Sequence, residues 1–300
     1  MTPTRRSFLL GSASVTLTAL TVTPGWTQAS VEGVAKRTVG SAEVTAFLDG
    51  RIALPSGVFS GASPEELAAL IGEEAVDGYI NAFAVRSGDT LSMIDAGAGS
   101  LVGPTAGKLA ERLEAAGIDP AAVANLYVTH LHPDHIGGLV GDDALALPNA
   151  QMIVHENERA FWTNDDIMAQ AGDANAAFFQ AARGALQSFG ERVVAFTGTD
   201  VPGPLSAMEL FGHTPGHTGY VVSDGDASLL VWGDIIHAPQ VQLPRPEVTI
   251  AFDTDPAAAA ATRKQVLDMV VADSMPVAGM HMTFPAMGEI TKKGEGYAFS

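Results

Sequence analysis

Thr129 to Gly138 reads THLHPDHIGG and packs three of the chain's eight histidines, with one aspartate, into six residues followed by two glycines. Imidazoles and a carboxylate at this density at a strand's end point to divalent-metal ligation rather than packing. In an extended segment side chains two apart share a side, so His130 and His132 can converge on one ion. Pro133 then turns the chain, and one turn can aim the adjacent Asp134 and His135 at a neighbouring point. Gly137 and Gly138 let the backbone pass close by. The stretch therefore reads as parts of two metal positions.

Neither shell is complete, and the missing donors stand after other apolar runs: His217 in GHTPGHTG, Asp234 in VWGD and His281 in VAGMH. Five histidines and two aspartates from four loops, in a chain without cysteine, suit a pair of borderline divalent ions. Zinc comes first, with manganese, iron or cobalt also compatible. His213 reads as a loop hydrogen-bonder and His155 as structural. His237, three residues past Asp234, is a candidate for touching substrate or moving a proton. The segment 157–187 reads as helical with an aromatic stripe, of which Trp162 and Phe178 are candidates for lining an apolar substrate pocket.

These residues need strand ends and loops to hold them. EVTAFLDGRIALP (Glu43 to Pro55) alternates and breaks like strand, turn, strand. Ser63 and Pro64 open a helix, and GYINAFAVRSGDTLSMIDAG gives two strands around Ser87–Gly88–Asp89. A helix from Pro104 to Ala116 leads into the strand NLYVTH, and Asp255–Pro256 start a long helix to Val271. Strands and helices alternate in α/β order, without repeats or a linker, so residues 30–300 are expected to form one domain.

The first 29 residues stand apart: twin Arg5 and Arg6, a short apolar run rich in Ser and Thr, then small residues around Ala29. That order is a twin-arginine export signal, which predicts a periplasmic or secreted protein with no membrane contact after cleavage. Losing both arginines takes the net charge from −18 to −20, which repels nucleic acid. Without cysteine there is neither a disulfide framework nor a thiolate ligand.

THLHPDH, GHTPGHT, WGD and GMH resemble the successive motifs of the metallo-β-lactamase-fold hydrolase superfamily. VTAFLDGRIALP, IDAGAGSLVGPTAGKL, WGDIIHAPQVQ and FPAMGEITKKGEGYAF are similar to the branch containing methyl parathion hydrolase and exported lactonases and arylesterases. The resemblance implies an α/β four-layer αβ/βα sandwich of two mixed sheets flanked by helices. It implies His130, His132 and His217 on one metal, Asp134, His135 and His281 on the other, and Asp234 between. Asp95 in IDAG matches an early aspartate that orients a ligand histidine. Where methyl parathion hydrolase has an aromatic, this chain has Val102, which turns the expectation away from aryl phosphotriesters.

The implied reaction is hydrolysis of small neutral or hydrophobic esters by a hydroxide bridging two metals: lactones such as acyl-homoserine lactones, aryl esters, or organophosphate triesters. Asp134 and Asp234 serve as ligands with a catalytic part, and a homodimer is compatible with the reading. The alternatives are a β-lactamase-like hydrolase, of which the cysteine-containing type is excluded, and a di-iron redox or metal-binding protein of the same fold.

Overall fold

Asp49–Gly50 carries a turn signal, yet the strand Ala42–Pro55 runs through it unbroken. It pairs antiparallel with Ala75–Ser87 along its length, with a register shift between Leu48 and Gly50 that marks a β-bulge. The buried carboxylate of Asp49 explains the difference, because it accepts the N–H groups of Ala98, Gly107 and Leu109 at 2.9, 3.1 and 2.8 Å. The loop these groups belong to lies so close that a Cβ at Gly50 would sit 2.2 Å from Ala106 Cα. The same capture shortens the helix expected from Pro104, which begins only at Leu109. A local turn signal is thus consumed by a tertiary contact.

The structure, a computed structural model, describes residues 26–28, 31–72 and 75–300. The twin arginines and the cleavage site expected near Ala29 lie outside them. Eight strands form the first sheet, in the order Trp26–Gln28, Val34–Val39, Ala42–Pro55, Ala75–Ser87, Thr90–Ile94, Val123–Tyr127, Gln151–His155 and Val193–Phe196. Pairing is antiparallel up to Thr90–Ile94 and parallel beyond it. The second sheet, Ser206–Glu209, Thr218–Asp224, Ala227–Val231, Val277–Ala278 and Met287–Gly288, contains one parallel pair.

Side chains from both sheets, among them Phe83, Ile94, Tyr220 and Leu229, join in one buried cluster. The opposite face of the first sheet buries Phe47, Met93 and Met152 with residues of the helices Leu109–Ala115 and Gly172–Phe189. The helix Pro256–Ala272 covers the second sheet with Val266, Leu267 and Val270. The result is the expected four-layer α/β sandwich of two mixed sheets flanked by helices.

Helix starts follow their caps. Ser63 and Glu66 form a capping box, and Asp255 accepts the Ala258 N–H. The helical stretch expected over 157–187 is three helices, Glu156–Thr163, Asp165–Gln170 and Gly172–Phe189, because the Asn164 side chain takes the N–H groups of Asp166 and Ile167 and starts a new helix.

Removing the Asp49 acceptor strands the buried N–H groups of Ala98 and Leu109. An Asp49→Ala variant should lose about 3 kcal/mol in urea unfolding. A loss within the ordinary surface range of about 0.5 kcal/mol would show that the bulge does not hold this loop.

Candidate metal centre

Beyond the strand Val123–Tyr127 the chain passes Thr129, whose N–H and hydroxyl both bond to the buried Asp95 carboxylate at 2.7 Å. His132 then caps a single helical turn, Pro133–Ile136. That turn aims Asp134 and His135 at a neighbouring point while the His135 ring stays 4.0 Å from that of His130, centre to centre. His130 Nε2 and His132 Nδ1 end 3.0 Å apart. His135 Nε2 lies 3.6 Å from Asp134 Oδ2, and His281 Nε2 lies 3.4 Å from the same oxygen.

Asp234 stands between these two sets. Its Oδ1 is 3.3 Å from His135 Nε2, and its Oδ2 is 3.1 Å from His281 Nε2 and 3.7 Å from His130 Nε2. The imidazole that completes the His130 and His132 set is not the expected His217 but His213. Its Nε2 sits 3.2 Å from His130 Nε2, 3.0 Å from His132 Nδ1 and 3.4 Å from Asp234 Oδ2.

His217 is excluded by its own hydrogen bonds. Its Nδ1 donates to the Leu210 carbonyl and its Nε2 accepts the Asp234 N–H, both at 2.9 Å. No lone pair remains for an ion. Burial pushes its pKa down to about 4, in keeping with a neutral ring that accepts a proton donor. His217 therefore fixes the backbone at Asp234, and Gly233 makes room for it: a Cβ there would lie 2.3 Å from His217 Nε2.

The donor set fits divalent cations on chemical grounds. The outer nitrogen of three rings is tied to a group that only accepts: His135 Nδ1 to Asp95 at 2.7 Å, His213 Nδ1 to Asp253 at 2.9 Å, and His281 Nδ1 to the Tyr79 carbonyl at 2.6 Å. Each outer nitrogen carries a proton, so each inner Nε2 is free to offer its lone pair to a cation. Burial would lower the pKa of His135 and His281, but the Asp234 and Asp134 carboxylates push it up, so without a cation these two rings take a proton on Nε2 instead. Lone pairs about 3 Å apart repel unless a cation lies among them. In the same region His135 Nε2 and Asp234 Oδ1 are buried without any hydrogen-bond partner. Burial and mutual repulsion push His130, His132 and His213 well below the usual imidazole pKa. Burial alone would raise Asp234, yet the rings of His135, His281, His130 and His237 hold its carboxyl well below the ordinary range.

Asp253 and Glu158 are the residues that sequence reasoning missed. Asp253, in FDTDP just before the Asp255 cap, orients His213 as Asp95 orients His135. An acidic residue close ahead of a helix was a visible signal, but its partner is 40 residues away. Glu158 is wholly buried and gave no local signal.

A cavity of about 190 Å³ opens over the cluster. Asp134, Asp234, His213 and His237 line its polar side, and Ile52, Leu54, Val102 and Phe178 its apolar side. His155 is structural, its Nδ1 accepting the Asn157 N–H. Trp162 lies outside this cavity and lines a neighbouring one, with its ring edge on His132 at 5.4 Å. His237 stacks on His281, and neither of its ring nitrogens makes a hydrogen bond, although Nε2 is 3.1 Å from Asp234 Oδ2.

Residues 75–281 match the sequence model of the metallo-beta-lactamase superfamily. A search of curated proteins returns no match. Among solved structures, the hydrolase AbOPH in the beta lactamase superfamily aligns over 90% of this chain and 98% of its own, with 29% identity and a TM-score of 0.83. AidC, a dizinc quorum-quenching lactonase, aligns over 89% and 97%, with 24% identity and a TM-score of 0.81. A quorum-quenching N-acyl homoserine lactone lactonase aligns over 84% and 99%, with 19% identity and a TM-score of 0.59.

The exchange of His217 for His213 is directly testable by metal analysis. His213→Ala should bind one divalent ion fewer than the unaltered protein. His217→Gln, which keeps an acceptor for the Asp234 N–H, should bind as many as the unaltered protein. The opposite pattern would return His217 to the ligand set.

Proposed function

We propose, from the premise that the chain belongs to the metallo-beta-lactamase superfamily, that this protein hydrolyses small neutral or hydrophobic esters, lactones above all. The observation that carries the proposal is the joining of two donor sets through Asp234 on the polar side of a cavity otherwise walled by aliphatic and aromatic side chains. Such walls favour an uncharged substrate body, while the polar side addresses one reactive group. The only large hydrophobic side chains exposed among the described residues, Leu101 and Phe252, both belong to this cavity. Branch membership beside methyl parathion hydrolase and the exported lactonases is part of the same proposal.

Two divalent ions, zinc first, would be held by His130, His132 and His213 on one side, by Asp134, His135 and His281 on the other, and by Asp234 between them. When bound, they supply a water acidic enough to ionise near neutral pH and a Lewis acid for the ester oxygen. The chain's own residues do the rest. Asp95 and Asp253 keep His135 and His213 turned inward. Asp134, one-fifth exposed at its side chain, is a ligand that also borders the substrate space. His237 offers an unpartnered ring nitrogen at the cavity wall, where an N–H can bond the ester oxygen as charge develops on it. Phe178 and Val102 hold the apolar part of the substrate and keep bulk water from the reacting centre.

The twin-arginine leader adds that one domain, residues 30–300, works outside the cytoplasm, loaded with metal before export.

Purified protein with defined zinc content should cleave γ- and δ-lactones or acyl-homoserine lactones faster than aryl esters, paraoxon-type triesters or a cephalosporin. Chelation should abolish this activity and zinc should restore it. Preference for the cephalosporin, or two bound irons without any hydrolysis, would overturn the proposal. His237→Ala should lower kcat by about a hundredfold while metal content stays at the level of the unaltered protein. Full turnover in that variant would remove His237 from the mechanism.

A further inference from the structure

Glu158 is fully buried in the helix Glu156–Thr163, and its carboxylate binds donors from three pieces of chain. Oε1 accepts the Leu131 N–H at 2.9 Å and the Trp162 indole N–H at 2.6 Å. Oε2 accepts the Gly216 N–H at 3.0 Å. Leu131 is the residue between His130 and His132, and Gly216, three residues after His213, lies in the turn that the His217 N–H closes on the Thr214 carbonyl. Trp162, turned by its bond to Glu158, sets its ring edge against His132. One side chain thus touches the supports of all three histidines in a single donor set.

The contact is close enough to need glycine. A Cβ at position 216 would lie 2.3 Å from the Glu158 backbone nitrogen. A buried carboxylate needs its donors, so neither loop can shift without stranding it. His281, in the other set, is held by different means. Asn81 Nδ2 donates to the Met280 and Met282 carbonyls at 2.8 and 2.9 Å, on either side of His281.

We propose that Glu158 is a positioning residue for one of the two metal positions, the one formed by His130, His132 and His213, and that it acts by clamping their two loops in register. The inference rests on the dinuclear reading above and assigns the two positions separate supports. Glu158→Gln preserves size but turns an amide N–H₂ towards backbone or indole N–H donors, so at least one clamp contact is lost.

The test is competition of cobalt(II) against a chelator on folded, metal-depleted protein, reading two affinities rather than activity. In Glu158→Gln one affinity should fall about 10- to 100-fold and the other should stay at its original value. In a His213→Ala background, which already lacks that position, the substitution should change nothing further. Trp162→Phe removes a single donor and should weaken the same position by a smaller factor, which keeps the test open if the glutamine variant fails to fold.

Equal weakening of both positions, or no weakening in either variant, overturns the clamp. Unaltered protein that binds no pair of ions sinks the hydrolase reading instead. Two ions in the unaltered protein with unchanged affinities in Glu158→Gln overturn only the role of Glu158.

Discussion

Everything in this molecule answers to one electrostatic problem: several imidazole lone pairs and the Asp234 carboxylate face one another in a buried space. Polar groups taken from water are tolerated only when they find partners. Here His135 Nε2 and Asp234 Oδ1 have none within the protein. Divalent cations would supply the missing partners, and the chain must hold the donors in place against their repulsion. The rest of the architecture is a set of supports for that arrangement.

The supports share a common form. Asp95, Glu158 and Asp253 are buried carboxylates that accept backbone N–H groups of ligand-bearing or neighbouring loops, from Thr129, from Leu131 and Gly216, and from Ile250. Asp95 and Asp253 also fix a histidine tautomer, so each links loop position to ligand orientation. Asp49 does the same for the loop 97–109 without touching the cluster. Rigid sheets bring the loops to one edge, and these carboxylates then set their final positions.

The substrate side follows a different rule. Its walls come from the strand Ala42–Pro55, the loop around Val102, the helix Gly172–Phe189 and the segment at Phe252, which lie far apart in the chain. Apolar walls confer selection by size and hydrophobicity and leave discrimination among carbonyl and phosphoryl centres to shape. Trp162 shows how an aromatic near the cluster serves a different end, since its indole N–H is committed to Glu158.

The sequence by itself determined the α/β order and most of the donor cluster, because strand–helix alternation, HxHxDH spacing and strand-end placement are local properties. The four-layer sandwich, in contrast, was implied by the resemblance of its motifs to a known superfamily. His130, His132, Asp134, His135, Asp234 and His281 come together as their motifs implied. Only the tertiary structure decided between His213 and His217, since both occur in GHTPGHT and the choice depends on which ring nitrogens the backbone consumes. It alone turned Asp49–Gly50 into a bulge, through contacts with residues about 50 positions away. It likewise set Asp253 and Glu158 behind the ligands, because a hydrogen bond across tens of residues leaves no periodicity or spacing for a linear reading to find.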